Sequence, residues 1–230
     1  MIYGSRNLPK SVIQNSGNTT RILVIDEQPI YRFGLEKLLH DAGNLEICGF
    51  ETSIEDLDSS LEPPDIIVLD IVIDKSNGIG GIKELIKRYP KTSVLVASSH
   101  DERIFAERCL RAGAKGYLMK TAPIGEHLEA FKFLSDGKLY LSPEMKRDLL
   151  NRMNGHEAKN SHSLLDRLSN RELLIVQHIG DSRDNSEIAR DMKISVKTIE
   201  SHRSRIKSKL ELSSASELVR IATKLKHRKL

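Results

Sequence analysis

The run Ile66-Ile67-Val68-Leu69, closed by Asp70, constrains this chain more than any other stretch. Three of its four residues are β-branched, and it is too short for a buried helix. An unbroken apolar run of this length reads as a strand covered on both faces, the pattern of a parallel sheet. In open α/β sheets, ligands bind outside the carboxyl ends of the strands, which is where Asp70 falls.

Other runs end in groups that belong with Asp70. Arg21 to Ile25 is apolar after its first residue and ends in Asp26-Glu27. Ser93 to Ala97 ends in Ser98-Ser99, and Lys115 to Met119 ends in Lys120. Leu45 to Gly49 supplies a further strand. Helical patterns of one crossover each lie between most of these runs, so the reading is a β-α-β series with right-handed connections. Three carboxylates, a hydroxyl and an ammonium then meet at one rim of one sheet. Clustered acids suit Mg²⁺, which takes a few carboxylates and keeps several waters. The lysine and the hydroxyl suit an added phosphoryl group.

Those residues, at that spacing, resemble the receiver domain of two-component response regulators. Ser98-Ser99-His100-Asp101-Glu102, Arg111 to Tyr117 and Tyr140-Leu141-Ser142 resemble the NarL/FixJ branch in particular. The resemblance implies a flavodoxin-like, doubly wound sheet of five parallel strands. It makes Asp70 the phosphoacceptor, with Ser98 and Lys120 beside it. It places Glu27 and Asp70 on the metal, Asp26 one water away, and the backbone carbonyl of Val72 as a further ligand. Ser98 and Tyr117 become the switch pair. Each has a plainer alternative: a serine bonded to its own backbone, and a strand tyrosine that packs its ring.

The chain departs from the family pattern in two places. Glu27 is one methylene longer than the usual aspartate, and Asp74 stands where a proline is usual, which leaves that loop less stiff. Asn77-Gly78 is a turn signal leading into a helix over Ile79–Tyr89. Further helices are expected from Pro29, with Ile30, Phe33, Leu35, Leu38 and Leu39 on the apolar face, and over Ser53–Leu61, Asp101–Arg111, Pro123–Ser135 and Pro143–Met153. Residues 1–20 lack periodicity and read as a flexible extension in which Arg6 and Lys10 are solvated. Residues 154–163 have no apolar side chain larger than alanine and read as linker. His156 and His162 in it have no metal-ligand spacing.

Beyond the linker, Ser169 and Glu172 form a capping box. A helix carrying Leu173, Val176 and Ile179 follows, then a short helix over Ser186–Met192, the turn Lys193-Ile194-Ser195 and a longer helix over Val196–Leu210. Val196, Ile199, Arg203, Ile206 and Leu210 lie on one stripe of that last helix. This is the helix-turn-helix order. Ser195 to Leu210, after Ser186-Glu-Ile-Ala-Arg190, resembles LuxR-type recognition helices. The resemblance turns Glu200, Ser201 and Ser204 toward base edges, and Lys197, Thr198, His202, Arg205 and Lys209 toward phosphates. Glu200 can accept from a cytosine amine or pair with Arg203, three residues on. A fourth helix after Ser213-Ser214, with Leu218, Val219, Ala222 and Leu225, either mediates dimerisation or closes the domain core.

Charge supports the division. Residues 164–230 hold 15 Lys/Arg against 9 Asp/Glu, a net of +6, while the chain as a whole carries +4. An acidic input part and a basic output part facing nucleic acid follow. We therefore expect an extension over 1–20, a receiver over 21–136, a connecting helix and linker over 137–163, and a LuxR-type helix-turn-helix domain over 164–230. No apolar run approaches a membrane span, no h-region marks a signal peptide, and Cys48 and Cys109 have no metal spacing, so a cytoplasmic home with reduced thiols is expected. The expected function is a transcriptional response regulator that a histidine kinase phosphorylates on Asp70, and that binds promoter DNA as a homodimer. Its catalysis is limited to its own phosphoryl transfer and dephosphorylation. The rivals are a DNA-binding protein with a degenerate receiver, and an aspartyl-phosphate phosphatase. The phosphatase would need an acid two residues after its nucleophile, where this chain has Val72.

Overall fold

The computed structural model describes residues 19–40, 42–58, 62–71, 79–154, 165 and 167–226, except for the side chain of Arg152. The expectations for residues 1–18, Val72, Asp74, Asn77-Gly78, His156 and His162 lie outside them. Contacts divide the chain into two compact units, Met1–Asp148 and Leu149–Leu230.

The first unit holds five parallel strands: β1 (Thr20–Ile25), β2 (Leu45–Glu51), β3 (Ile66–Leu69), β4 (Ser93–Ser98) and β5 (Gly116–Met119). Their spatial order is β2-β1-β3-β4-β5. The connection from β1 goes outward to β2, and the next crosses back over β1 to β3. The order therefore reverses between β1 and β3, and a crevice opens at their carboxyl ends. In that register Ile25 stands beside Leu69, so the next residues, Asp26 and Asp70, emerge side by side. The ladder runs one step further: Asp70 N donates to Ile25 O at 3.0 Å, and Lys120 N donates to Ser98 O at 2.8 Å.

Four helices accompany the sheet: α1 (Pro29–His40), α2 (Gly80–Arg88), α3 (Glu102–Arg111) and α4 (Ile124–Ser135). Side chains of a strand alternate between faces. Ile22, Val24, Ile66, Val68, Leu95, Ala97 and Leu118 share one core with Leu35 and Leu39 of α1 and with Ala130, Phe131 and Leu134 of α4. The intervening residues, Leu23, Ile25, Ile67, Leu69, Val94, Val96 and Tyr117, are equally buried. Tyr140 bridges to Gly116 at the start of the outer strand β5. A Cβ on Gly116 would stand 3.0 Å from Leu95 Cδ1 and 3.1 Å from Tyr140 Cβ, so a larger residue there would press on both neighbours.

The first unit departs from expectation in two places. The buried face of α1 runs through Leu35 and Leu39, with Tyr31 and Leu38 half-buried, while Ile30 and Phe33 are 87% and 68% exposed. The spacing 31, 35, 38, 39 follows the helical period, and 30 and 33 fall on the opposite side. Between β2 and β3, residues 52–58 form bends and a turn in place of the expected helix. Thr52 and Ser53 both donate their hydroxyls to Asp56 Oδ2, at 2.9 and 2.8 Å. Such local bonds compete with a helix. Ile54 and Leu57 still point into the core. A fifth helix, α5 (Pro143–Met153), carries Leu149, Leu150 and Met153 exposed.

The second unit is all helical: α6 (Asn170–Gly180), α7 (Asn185–Asp191), α8 (Val196–Lys209) and α9 (Ala215–Lys226). The Ser169–Glu172 capping box opens α6, and a second box of Asp184 and Glu187 opens α7. The first three of these helices end alike. Ser182, Lys193 and Glu211 take left-handed φ of 62°, 52° and 57°. The next residues, Arg183, Ile194 and Leu212, donate back to His178, Ala189 and Lys207. This is the Schellman closure, made without the usual glycine. Leu173, Ile175, Val176, Ile179, Ile188, Ile199, Ile206, Leu210 and Leu218 form the core. Val196 and Val219, expected inside, are 40% and 42% exposed. Val196 opens α8 three residues before Ile199, its first buried residue.

Helices α6 and α9 meet at Gly180. A Cβ there would lie 2.7 Å from Ala222 O. That contact is backbone, which cannot rotate away. Gly180→Ala should therefore destabilise the second unit by about 1–3 kcal/mol, read as a lower urea midpoint for its transition. An unchanged midpoint would mean that α6 and α9 do not pack this closely.

Candidate functional site

Asp26, Asp70 and Lys120 meet in the crevice. Asp26 is fully buried and Asp70 is 4% exposed. The Lys120 ammonium donates to Asp70 Oδ2 at 2.5 Å and lies 2.6 Å from Asp26 Oδ2. The second contact is a buried ion pair. Asp26 Oδ1 accepts from Gln28 N at 2.7 Å. Burial pushes the Asp26 carboxyl above its ordinary pKa, and the attraction of Lys120 opposes that shift only in part. Two acids and one ammonium thus share a nearly dry pocket.

Glu27 lies next to Asp26 in sequence but is exposed. Among the described residues, no group of three His, Cys, Asp or Glu side chains stands close enough to hold a metal ion. The donor chemistry nevertheless suits a hard cation. Two buried carboxylates converge on one positive charge, the Lys120 ammonium.

Ser98 and Tyr117 act on one short loop. Ser98 Oγ accepts from His100 N at 3.1 Å, and the Tyr117 hydroxyl donates to His100 O at 2.8 Å. Both residues are fully buried. The serine therefore makes the local backbone bond, and the tyrosine is turned inward. The loop continues into α3, whose N-cap Asp101 accepts from Arg103 N and pairs with the Arg103 guanidinium.

Tyr31 has no place in the sequence reading, yet its ring lies under the site. Lys120 Nζ stands 4.9 Å from the ring centroid. His127 of α4 touches the same ring, with centroids 6.1 Å apart. His127 Nδ1 lies 3.2 Å from Pro123 O. The clue was available in the helical spacing: Tyr31 precedes Leu35 by four and Leu39 by eight, so it shares their inward face.

The second cluster is α8. Ser195 caps it, accepting from Thr198 N at 3.1 Å. Lys197, Thr198, Glu200, Ser201, Ser204, Arg205 and Lys209 are all exposed. His202 is half-buried, and its Nδ1 has no hydrogen-bond partner among the described residues. Arg203 Nη1 donates to Asn185 Oδ1 at 3.0 Å, and of the two alternatives for Glu200 the pairing with Arg203 is not made among the described residues. Ser201 Oγ donates to Lys197 O at 3.0 Å. Lys209 Nζ donates to Glu172 Oε2 at 2.7 Å, tying the last turn of α8 to the α6 capping box. Burial alone would raise the Glu172 carboxyl, but the bonds from Lys209 and Ser169 outweigh it and hold its pKa below the ordinary value.

Residues 22–132 match the response regulator receiver domain, and residues 166–222 match the bacterial regulatory proteins of the luxR family. The chain is 32% identical over 203 residues to the virulence-factor transcription regulator BvgA of Bordetella pertussis, covering 88% of this chain and 96% of that one. This chain belongs to the NarL/FixJ family of response regulators. The oxygen regulatory protein NreC of Staphylococcus carnosus is 29% identical over 214 residues, covering 90% of this chain and 98% of its own. The fold is that of RcsB from Salmonella enterica serovar Typhimurium, solved on the promoter P1flhDC with a phosphomimetic. That likeness has a TM-score of 0.61 at 20% identity, over 90% of this chain and all of that one. As a NarL/FixJ member the protein is a transcriptional response regulator, a receiver joined to a LuxR-type DNA-binding domain. No helix among the described residues is long and apolar enough to cross a membrane.

Two outcomes follow from these contacts. Lys209→Ala leaves the buried Glu172 carboxylate without its charged partner and should lower the stability of the helical unit by about 1–3 kcal/mol. Lys197→Ala, at an exposed position, should change it by no more than about 0.5 kcal/mol. Equal effects in chemical unfolding would show that Lys209 is no tie. The second concerns His127. Burial lowers its pKa, against the pull of the Pro123 carbonyl and Glu126. The folded state then prefers the neutral ring. That preference costs nothing above the ordinary histidine value, near 6.5. As pH falls below it, the unfolded chain takes up the proton first, and stability drops until the folded value is passed. His127→Gln should flatten this slope in receiver unfolding midpoints between about pH 7 and 5. An unaltered slope would assign it to other groups.

Proposed function

We propose that this regulator is switched by phosphorylation of Asp70 by a partner sensor histidine kinase. The observation that carries the reading is the convergence of Asp70, Asp26 and Lys120 at the point where the strand order reverses. A carboxylate oxygen of Asp70 attacks the phosphorus of a phosphohistidine. The oxygen–phosphorus bond forms as the nitrogen–phosphorus bond breaks, and the imidazole leaves with the electron pair. Lys120 holds the phosphoryl oxygens as a point charge. Asp26, Glu27, Asp70 and the Val72 carbonyl would hold Mg²⁺, which when bound neutralises charge on the transferring group.

The switch is supported by the shared grip on His100. When Ser98 Oγ turns to a phosphoryl oxygen, His100 N loses its acceptor. The loop that also accepts from Tyr117 is then free to shift, and Tyr117 with it. A phosphoryl group shifts the equilibrium only as far as Ser98 and Lys120 bind it differently in the two states. The same site hydrolyses its own acyl phosphate, and no other substrate is turned over.

The output is promoter DNA held by α8. Lys197, Thr198, His202 and Arg205 meet phosphates, with Lys209 serving also as the tie to Glu172. Glu200, Ser201 and Ser204 face base edges. Glu200 has neither a hydrogen bond nor an ion pair among the described residues, which leaves its carboxylate available to a cytosine amine. The phosphorylated or DNA-bound form is a homodimer, and the protein works in the cytoplasm. The working domains are the receiver at 21–136 and the DNA-binding domain at 164–230, with 1–20 as an extension and 137–163 as the connection.

Labelled acetyl phosphate should mark the wild-type chain and leave Asp70→Asn unmarked, with both proteins equally folded by circular dichroism. The labelled form should bind its promoter more tightly, and that binding should weaken linearly on a log–log plot against salt. Label on Asp70→Asn at the wild-type rate would sink the assignment.

A further inference from the structure

We propose that Tyr31 is a positioning residue for phosphoryl transfer, acting on Asp70 through Lys120. The inference rests on Asp70 being the phosphoacceptor.

The Lys120 side chain is only 5% exposed, so water cannot complete its surroundings. An ammonium has three donors and loses much on burial unless they find partners. Two directions are met by Asp70 Oδ2 and Asp26 Oδ2. The face of Tyr31 supplies a third, with the ring centroid 4.9 Å away, inside the range of a cation–π contact. The ring is itself backed by His127, tilted at 52° and 6.1 Å off. His127 is anchored to the Pro123 carbonyl at the start of α4. The line from α4 through His127 and Tyr31 to Lys120 therefore sets one wall of the pocket.

A wall matters because lysine is a point charge on a flexible four-carbon stem. Transfer needs that charge within reach of the phosphoryl oxygens, and loose placement costs rate. The Tyr31 hydroxyl is buried without a hydrogen-bond partner among the described residues. The ring face, and not the hydroxyl, is thus the part that acts.

The test is a double-mutant cycle in the full chain, read as the initial rate of labelling by acetyl phosphate. Tyr31→Leu should slow labelling about tenfold, within the range of cation–π contacts between exposed and desolvated sites. Tyr31→Phe keeps the face and should stay within about twofold of wild type. In a Lys120→Ala background, Tyr31→Leu should cause no further loss. A merely structural role would give the same loss in both backgrounds, and that result overturns the proposal. So does a Phe variant as slow as the Leu variant, or a Leu variant at the wild-type rate. Should Tyr31→Leu fail to fold, Tyr31→Met takes its place, filling similar space without an aromatic face. If Lys120→Ala takes no label at all, the contrast between Phe and Leu decides alone. Wild type that takes no label, or Asp70→Asn that does, marks failure of the phosphoacceptor reading, and the role of Tyr31 falls with it.

Discussion

The receiver depends on a lysine between two acids. Parallel register sets Asp26 and Asp70 side by side at adjacent strand ends, and the surrounding core leaves them almost no water. Two carboxylates so placed cannot both stay ionised without a counter-charge. Lys120 arrives from the far end of the sheet, one residue past β5, and brings that charge inside. Removing it would leave two uncompensated buried acids, a larger loss than the pair itself contributes. The ordering of β4 and β5 beside β3 is therefore tied to the chemistry: strands in another order would not bring the ammonium to the crevice.

The helical unit depends on the same kind of economy at smaller scale. Its longest helix has only Ile199 and Ile206 buried within it, with Leu210 just beyond its end. So few apolar anchors leave the helix's orientation to polar contacts at its flanks. Arg203 reaches Asn185 at the start of α7, and Lys209 reaches Glu172 at the start of α6. The first turns of the two preceding helices thus do more than satisfy orphan amides. They provide the fixed points to which the exposed helix is tied.

Much of this was legible in the sequence because it rests on short-range rules. Four apolar residues before Asp70 could be little else than a buried parallel strand, and Ser169 with Glu172 announced its cap. The misreadings came where a local pattern competes with context. Thr52, Ser53 and Asp56 bond one another and end the apparent helix that follows β2. Ile30 and Phe33 look like core residues until the period is counted from Leu35. A lone tyrosine in a helix, such as Tyr31, gives no sign in the sequence of the cation above it. That contact joins residues 31 and 120 across four intervening strands of the sequence, and no spacing rule reaches so far.

The left-handed turns at Ser182, Lys193 and Glu211 carry a consequence for how this part of the chain tolerates change. Each position already bears the steric cost of a Cβ in a conformation that suits glycine. Exchange among unbranched side chains therefore adds little strain. Branching at Cβ would add more, and glycine alone would relieve it. Mutational drift at these three positions is thus one-sided. Many replacements are nearly silent, a few are harmful, and a single residue type offers improvement. Lys193 sits in the turn leading into α8, so a gain in stability there would come with the loss of one positive charge from the basic helical unit.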